Sequence, residues 1–318
     1  MATSPANAIH SGADPINRAD PWSGLRTTID RRLADLLAGT DADCEPLTQA
    51  MRRSTLAAGK RIRPMLLVLA ARGLGCYSPA LLDLGCALEM VHTASLILDD
   101  LPCMDNASLR RGLPSLHRCV GEDVATLAAV ALLARAFALV AAAPDVPDRA
   151  RTQMVGYLAE AVGSQGLGRG QYEDLHASCR PRPPQDVALT NHLKTGILFD
   201  AAMRMAARTA GADESTETAL RFFARELGQA FQLFDDLTDG RADQGKDPHQ
   251  DAGKATLVAL LGVSAARQRL AEHLTEAERL LAEVYGADQP LRQFTGGLFA
   301  RFQAALVEPA DGALAPAL

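Results

Sequence analysis

The chain has 318 residues, a formal net charge of -6, 48% apolar residues and only 4% aromatic ones. Without a global basic footprint nucleic acid is a poor partner, and any anionic ligand must be met by local arginines and lysines. The six cysteines (44, 76, 86, 103, 119 and 179) never fall in a CxxC pair, which argues against structural zinc and for reduced thiols in a cytoplasmic protein.

Apolar periodicity runs from Trp22 to Phe302 with no linker-like break, so one domain is expected over residues 21–306. Ala and Leu dominate over Val, Ile and Thr, which favours helix packed on helix and predicts an all-α fold. Residues 1–20 are polar and aperiodic and read as a disordered lead-in, and residues 307–318 as a tail. The N-terminal stretch has no basic region followed by an apolar core. No run of about 18 uncharged apolar residues occurs elsewhere, so a soluble protein without a membrane span is expected.

In chain order, Leu25, Ile29, Leu33, Leu36 and Leu37 keep helical spacing, with Gly39 placed to end the helix. A second helix is predicted over 46–58. It runs into GKRIRP (59–64), where Lys60, Arg61 and Arg63 crowd a tight turn before a helix over 65–72. In isolation that turn reads as well as a solvated basic loop as it does as an anion site. The next helix, over 81–98, is almost wholly apolar and delivers Asp99 and Asp100 to its C-terminus, where negative charge opposes the helix dipole. Pro102 then breaks the helix, and a proline bulge can bring Asp105 back toward the first pair, making one cluster of three acids. Arg110, Arg111 and Gly112 follow, two planar cations and a turn, so acids and then arginines suggest metal-bound phosphate. His92 lies about two turns before Asp99 on nearly the same face; a lone histidine there is ordinarily a satisfied core residue.

Further helices are predicted over 121–143 and, as one long element, from 151 to about 176. Gln171 and Asp174 near its end fit a cavity wall or an ordinary surface equally well. After a loop at 179–186, Lys194 and Thr195 stand in an otherwise apolar helix, and a buried lysine needs an anion nearby. The second acidic cluster, Asp235, Asp236 and Asp239, closes the run FFARELGQAFQLFDDLTDG (222–240). Gln232 and Asp239 lie one turn either side of Asp235, on nearly the same helix face. Lys246 and Lys254 follow in a Gly- and Asp-rich loop.

Two Asp clusters, each ending an apolar helix and each followed by cations, suit magnesium ions bridging a diphosphate, because magnesium takes oxygen ligands and typically only one or two carboxylates. With GKRIRP, HTASLILDDLPCMDNASLRRG, NHLKTGILF, GQAFQLFDDLTDG and GKDPHQDAGKATLVALLG in place, the sequence resembles the trans-type (head-to-tail) polyprenyl diphosphate synthases, and is most similar to bacterial geranylgeranyl diphosphate synthases of carotenoid pathways. The resemblance implies an all-α single-domain bundle of ten or more helices around a deep central cavity, normally homodimeric. It implies that Asp99, Asp105 and Asp235 bind magnesium, with Asp100, Asp236 and Asp239 beside them. Arg110, Lys194, Thr195, Gln232 and Lys246 would hold an allylic diphosphate, while Lys60, Arg63, His92 and Arg111 would hold isopentenyl diphosphate. Lys254 has no assigned phosphate.

Product length is expected to follow from Ala94 and Ser95, which lie roughly 6 to 8 Å below Asp99 along the helix. Farnesyl synthases of the family commonly carry an aromatic ring there. Both residues here are small, which favours a twenty-carbon product; the alternative for Ala94 is a tight helix contact. A terpene cyclase is disfavoured by the intact DDLTD and the scarcity of aromatics, and a non-catalytic regulatory subunit by the completeness of both acid motifs.

Overall fold

The computed structural model describes residues 20–38, 46–176, 182–238 and 256–307. Helices occupy nearly all of them: α1 (Ser23–Leu36), α2 (Pro46–Thr55), α3 (Ile62–Gly73) and α4 (Ala80–Asp99) come first, then a two-residue ladder of β1 (Leu109–Arg110) and β2 (Leu113–Pro114). They are followed by α5 (Leu116–Val120), α6 (Glu122–Ala141), α7 (Asp148–Val162), α8 (Leu167–Leu175) and α9 (Pro184–Asn191). A π-helical turn, His192–Gly196, leads into α10 (Ile197–Ala210), and α11 (Glu214–Thr238), α12 (Leu257–Leu261), α13 (Val263–Val284) and α14 (Pro290–Val307) complete the bundle.

The fold is all-α as the composition requires, with α3, α4, α10 and α11 at its centre. The wall runs from α6 through α4 and α3 to α10 and then to α11, which packs on α13. Burial follows the sequence pattern: Met65 to Leu69 of α3 and Leu84, Leu88, Met90 and Val91 of α4 are closed off from solvent. A helix that is apolar on all sides has to be interior. This explains why α4, like α6, is long and apolar enough to cross a bilayer: most of α4 is packed inside the bundle. Helix α6 is less covered, and Leu127 and Val130 on its outer face are each more than half exposed.

The far end of the chain closes against the near end. The Tyr285 hydroxyl donates to the Ala70 carbonyl of α3 at 2.9 Å, and its ring lies where a Cβ on Gly73 would come within 2.7 Å.

Two expectations are corrected. The long helix foreseen from 151 to about 176 is two, α7 and α8, because residues 163–166 break it: Gly163 and Gly166 leave helical geometry, and a Cβ on Gly166 would sit 2.1 Å from the Ala161 carbonyl oxygen. The segment around Arg110 and Arg111 is the ladder noted above, with Leu109 opposite Pro114 and Arg110 opposite Leu113. Both of its turn residues, Arg111 (φ 54°) and Gly112 (φ 76°), are left-handed, the pattern of a type I′ hairpin. Gly39, Asp239, Lys246, Lys254 and the lead-in over 1–19 lie outside the described residues.

Candidate active site

The site is built where α4 ends. Helix α4 stops at Asp99, and the loop after Pro102 folds back on it: the Asp105 amide donates to the Asp99 carbonyl at 2.9 Å, and the Met104 and Asn106 amides both donate to Leu101. The proline thus returns Asp105 to Asp99, as the sequence suggested. Asp100 departs from the expected cluster of three acids. It is almost fully buried and bonded through both oxygens to Arg110, whose Nε donates at 2.9 Å and whose second nitrogen also makes a close contact. Asp100 therefore orients Arg110 rather than pointing with Asp99. Among the described residues no three acid, histidine or cysteine side chains converge tightly enough to hold a metal ion.

Across from this corner lie the π-helical turn and α11. Lys194 donates to Asp174 at 2.6 Å, which settles Asp174 as a counter-ion on the wall. Thr195 donates to the Gln232 side-chain oxygen at 3.3 Å, and the Gln232 amide donates to Asp236 at 2.8 Å. Gln232 thus engages the acid four residues on, not Asp235 three residues on. Two glycines permit this arrangement. A Cβ on Gly228 of α11 would meet the Gly196 Cα at 2.6 Å, and one on Gly170 of α8 would meet the Lys194 nitrogen at 2.9 Å, so the turn carrying Lys194 and Thr195 is clamped between two bare backbones. Single π-turns recur at functional sites because they re-aim side chains within an otherwise regular helix.

The third wall is a cationic pocket that the sequence revealed only in part. Within GKRIRP, Lys60 is exposed, Arg63 partly so, and Arg61 is buried in a left-handed conformation (φ 50°). Arg61 donates to Glu89 at 2.8 Å, to Asp30 at 2.7 Å and to the Ala57 carbonyl at 2.9 Å. The same Glu89 oxygen lies 3.9 Å from Arg111, so one buried carboxylate gathers arginines from two separate turns. Arg63 rests 5.0 Å from the centre of the Phe199 ring. Burial, opposed by Glu89 and reinforced by Arg111, pushes its guanidinium down to about 10. Burial and the neighbouring Arg63 and Arg111 hold His92 well below its ordinary range, leaving a neutral imidazole beside the cations.

Glu89 and Arg61 are the contributors that sequence reasoning missed. The signal was present: a lone acid inside an apolar helical run needs a cation opposite.

Each acid cluster is coupled to cations of another wall. Burial pushes the Asp99 carboxyl up to about 6, with Lys194 opposing and Asp105 adding repulsion, while Arg63 feels the charge of Asp235. Hard carboxylate oxygens crowded at the cost of their own ionisation fit a hard divalent cation such as magnesium. Ala94 is fully buried. Ser95, partly exposed four residues before Asp99, is the small residue on the open face, with its hydroxyl turned back onto the His92 carbonyl at 2.9 Å.

A helical bundle with two acid-bearing helix ends near a ring of arginines is the architecture of isoprenoid synthases, and comparison bears this out. The polyprenyl synthetase family model matches residues 44–287. The chain is 50% identical over 272 residues to the geranylgeranyl diphosphate synthase of Pseudescherichia vulneris, covering 85% of this chain and 88% of that one. Among solved structures it resembles an FPP/GFPP synthase from Zymomonas mobilis, with a TM-score of 0.79 and 32% identity over 87% of this chain and 97% of the other. It also resembles a Helicobacter pylori geranyltransferase complexed with magnesium and isoprenyl diphosphate, with a TM-score of 0.76 and 27% identity over 90% and 98%. The chain belongs to the polyprenyl synthetase family and is a prenyl transferase.

Proposed function

We propose that this enzyme condenses isopentenyl diphosphate with an allylic diphosphate to give geranylgeranyl diphosphate, using magnesium. The observation that carries the reading is the meeting of three walls: Asp99 with the returned Asp105, the α11 end with Asp235, and the arginine pocket around Glu89. Asp99, Asp105 and Asp235 would hold the metal, and bound magnesium would neutralise the departing diphosphate.

The remaining steps fall to the chain's own side chains. Lys194, Thr195, Gln232 and Arg110 hold the allylic diphosphate; Asp174 and Asp100 fix the two cations in place until it arrives. Lys60, Arg63, Arg111 and the neutral His92 hold isopentenyl diphosphate, with Glu89 drawing Arg61 and Arg111 together beside them. The apolar wall below Asp99 excludes water, which would quench an allylic cation. No side-chain nucleophile is required. Small Ser95 leaves the descending tail unobstructed, which supports the twenty-carbon product.

The apolar outer face of α6, with exposed Leu127 and Val130, supports a homodimer. Free thiols at Cys76, Cys86, Cys103 and Cys119 fit a cytoplasmic setting.

The test is incubation of the purified protein and magnesium with labelled isopentenyl diphosphate and each of the dimethylallyl, geranyl and farnesyl diphosphates, followed by product sizing. Twenty-carbon product is expected. Farnesyl diphosphate as the sole end product would remove the chain-length reading, and no elongation at all would remove the enzyme. Sedimentation of the same sample reads the dimer.

A further inference from the structure

Behind the α4 corner lies a second cavity, of about 50 Å3, enclosed by α2, α4, the β1–β2 hairpin and the start of α5. Asp99, Asp105, Lys194 and Gln232 do not line it; Arg53, Ser54, Thr93, Asp100, Arg110 and Arg111 do. Three guanidinium groups therefore face one carboxylate. Arg53 has no ion pair among the described residues, whereas Arg110 is held by Asp100 and Arg111 stands 3.9 Å from Glu89. The buried wall also carries an unused polar group: Thr93 is 2% exposed, and its hydroxyl has no hydrogen-bond partner. A buried hydroxyl without a partner in a native fold calls for an explanation, and a ligand oxygen supplies one. The volume suits a single tetrahedral oxyanion and is too small for a prenyl tail.

We propose that this cavity is a second anion site, taking inorganic phosphate or a like tetrahedral oxyanion between Arg53, Arg110 and the Thr93 hydroxyl, and that its occupancy draws Arg110 off Asp100 and lowers turnover. The inference rests on the prenyltransferase reading, because Arg110 is the group shared between the cavity and the allylic diphosphate. Because one guanidinium serves both ligands, the anion and the allylic diphosphate oppose each other, whereas isopentenyl diphosphate, which does not use Arg110, does not relieve the inhibition. The chemistry recognised is that of a phosphate oxyanion, met by charge-assisted donors on one side and a neutral hydroxyl on the other.

The experiment measures steady-state prenyl transfer in chloride at fixed ionic strength with excess magnesium, then replaces chloride by inorganic phosphate. Sulfate runs in a parallel arm to exclude loss of magnesium to phosphate. Both anions should inhibit, and excess allylic diphosphate but not excess isopentenyl diphosphate should relieve the inhibition. Arg53→Ala should weaken that inhibition about fivefold, and Thr93→Val, which keeps the shape and removes the hydroxyl, about threefold. Neither variant should alter turnover in chloride, and circular dichroism checks that both fold. Inhibition of equal strength in the parent enzyme and both variants would overturn the site, as would the absence of any anion effect. Turnover in chloride alone tests the enzyme reading, so the two can fail separately.

Discussion

The two walls proposed to hold the diphosphates are built by opposite means. On the α3–α4 side, cations converge on one buried carboxylate, and two of the arginines, Arg61 and Arg111, occupy left-handed backbone conformations to get there. Non-glycine residues held left-handed cost on the order of 1–3 kcal/mol each, and they persist only where their surroundings over-determine them. On the α8–α11 side no non-glycine residue among the described residues adopts such a conformation. A π-turn is pressed between Gly170 and Gly228, and its polar groups are joined in a chain from Thr195 through Gln232 to Asp236. The first wall is a preset charge array stabilised by its counter-ion; the second is a shape, stabilised by the absence of side chains. The first should therefore be most sensitive to changes in charge and the second to added volume.

The largest effect expected lies between the walls. Asp235→Asn should lower turnover on the order of a hundredfold or more with the fold intact, since it removes a carboxylate that would hold the metal. Wild-type turnover of the folded variant at saturating magnesium would dismiss the two-cluster site. Glu89→Gln tests the charge wall. Removing one partner of a buried ion pair costs about 3–5 kcal/mol, because the guanidinium groups are left uncompensated. Urea unfolding should register that loss, together with a raised Michaelis constant for isopentenyl diphosphate and little change for the allylic substrate.

Gly228→Ala tests the shape wall. A methyl 2.6 Å from the Gly196 Cα has to displace the π-turn, at about 1–3 kcal/mol. The Michaelis constant for the allylic diphosphate should rise more than that for isopentenyl diphosphate; equal rises would mean that the two walls do not act independently. The smallest effects separate Ala94 from Ser95. Ala94→Tyr overfills a closed contact and should lower the melting temperature without a clean change of product. Ser95→Phe should shorten the product toward fifteen carbons at near-normal stability. Product sizing alongside calorimetry reads both, and the reverse pattern would return the chain-length role to Ala94.

What could be read from the sequence follows the range of the interactions. The helix ending at Asp99, the proline bulge and the arginines after it lie within a few turns of one another, so spacing and local chemistry sufficed. The pairing of Asp100 with Arg110 was beyond such reading, because it depends on a hairpin whose left-handed Arg111 no propensity favours. Glu89 looked like part of an apolar run until Arg61, 28 residues earlier, was seen to meet it. Nothing in the local pattern marks Gly170 and Gly228 as partners; only their juxtaposition to the π-turn shows which close approach they permit. Ala94 and Ser95 are neighbours, and sequence distance from Asp99 treats them alike. Their difference is one of burial: Ala94 is closed off from solvent and Ser95 is partly exposed.

The contact between Tyr285 and α3 bears on how the protein is made. Its partners, Ala70 and Tyr285, are 215 residues apart, so during synthesis the helix that follows the GKRIRP turn leaves the ribosome long before its seal does. Until the end of α13 emerges, the groove over Gly73 stands open and α3 lacks one of its fixed points. Contacts of such separation form late and slowly, because the whole intervening loop must be closed first. The arginine wall should thus mature near the end of translation. A chain released before residue 285 should expose that groove and be cut there by protease, whereas one ending just beyond it should not.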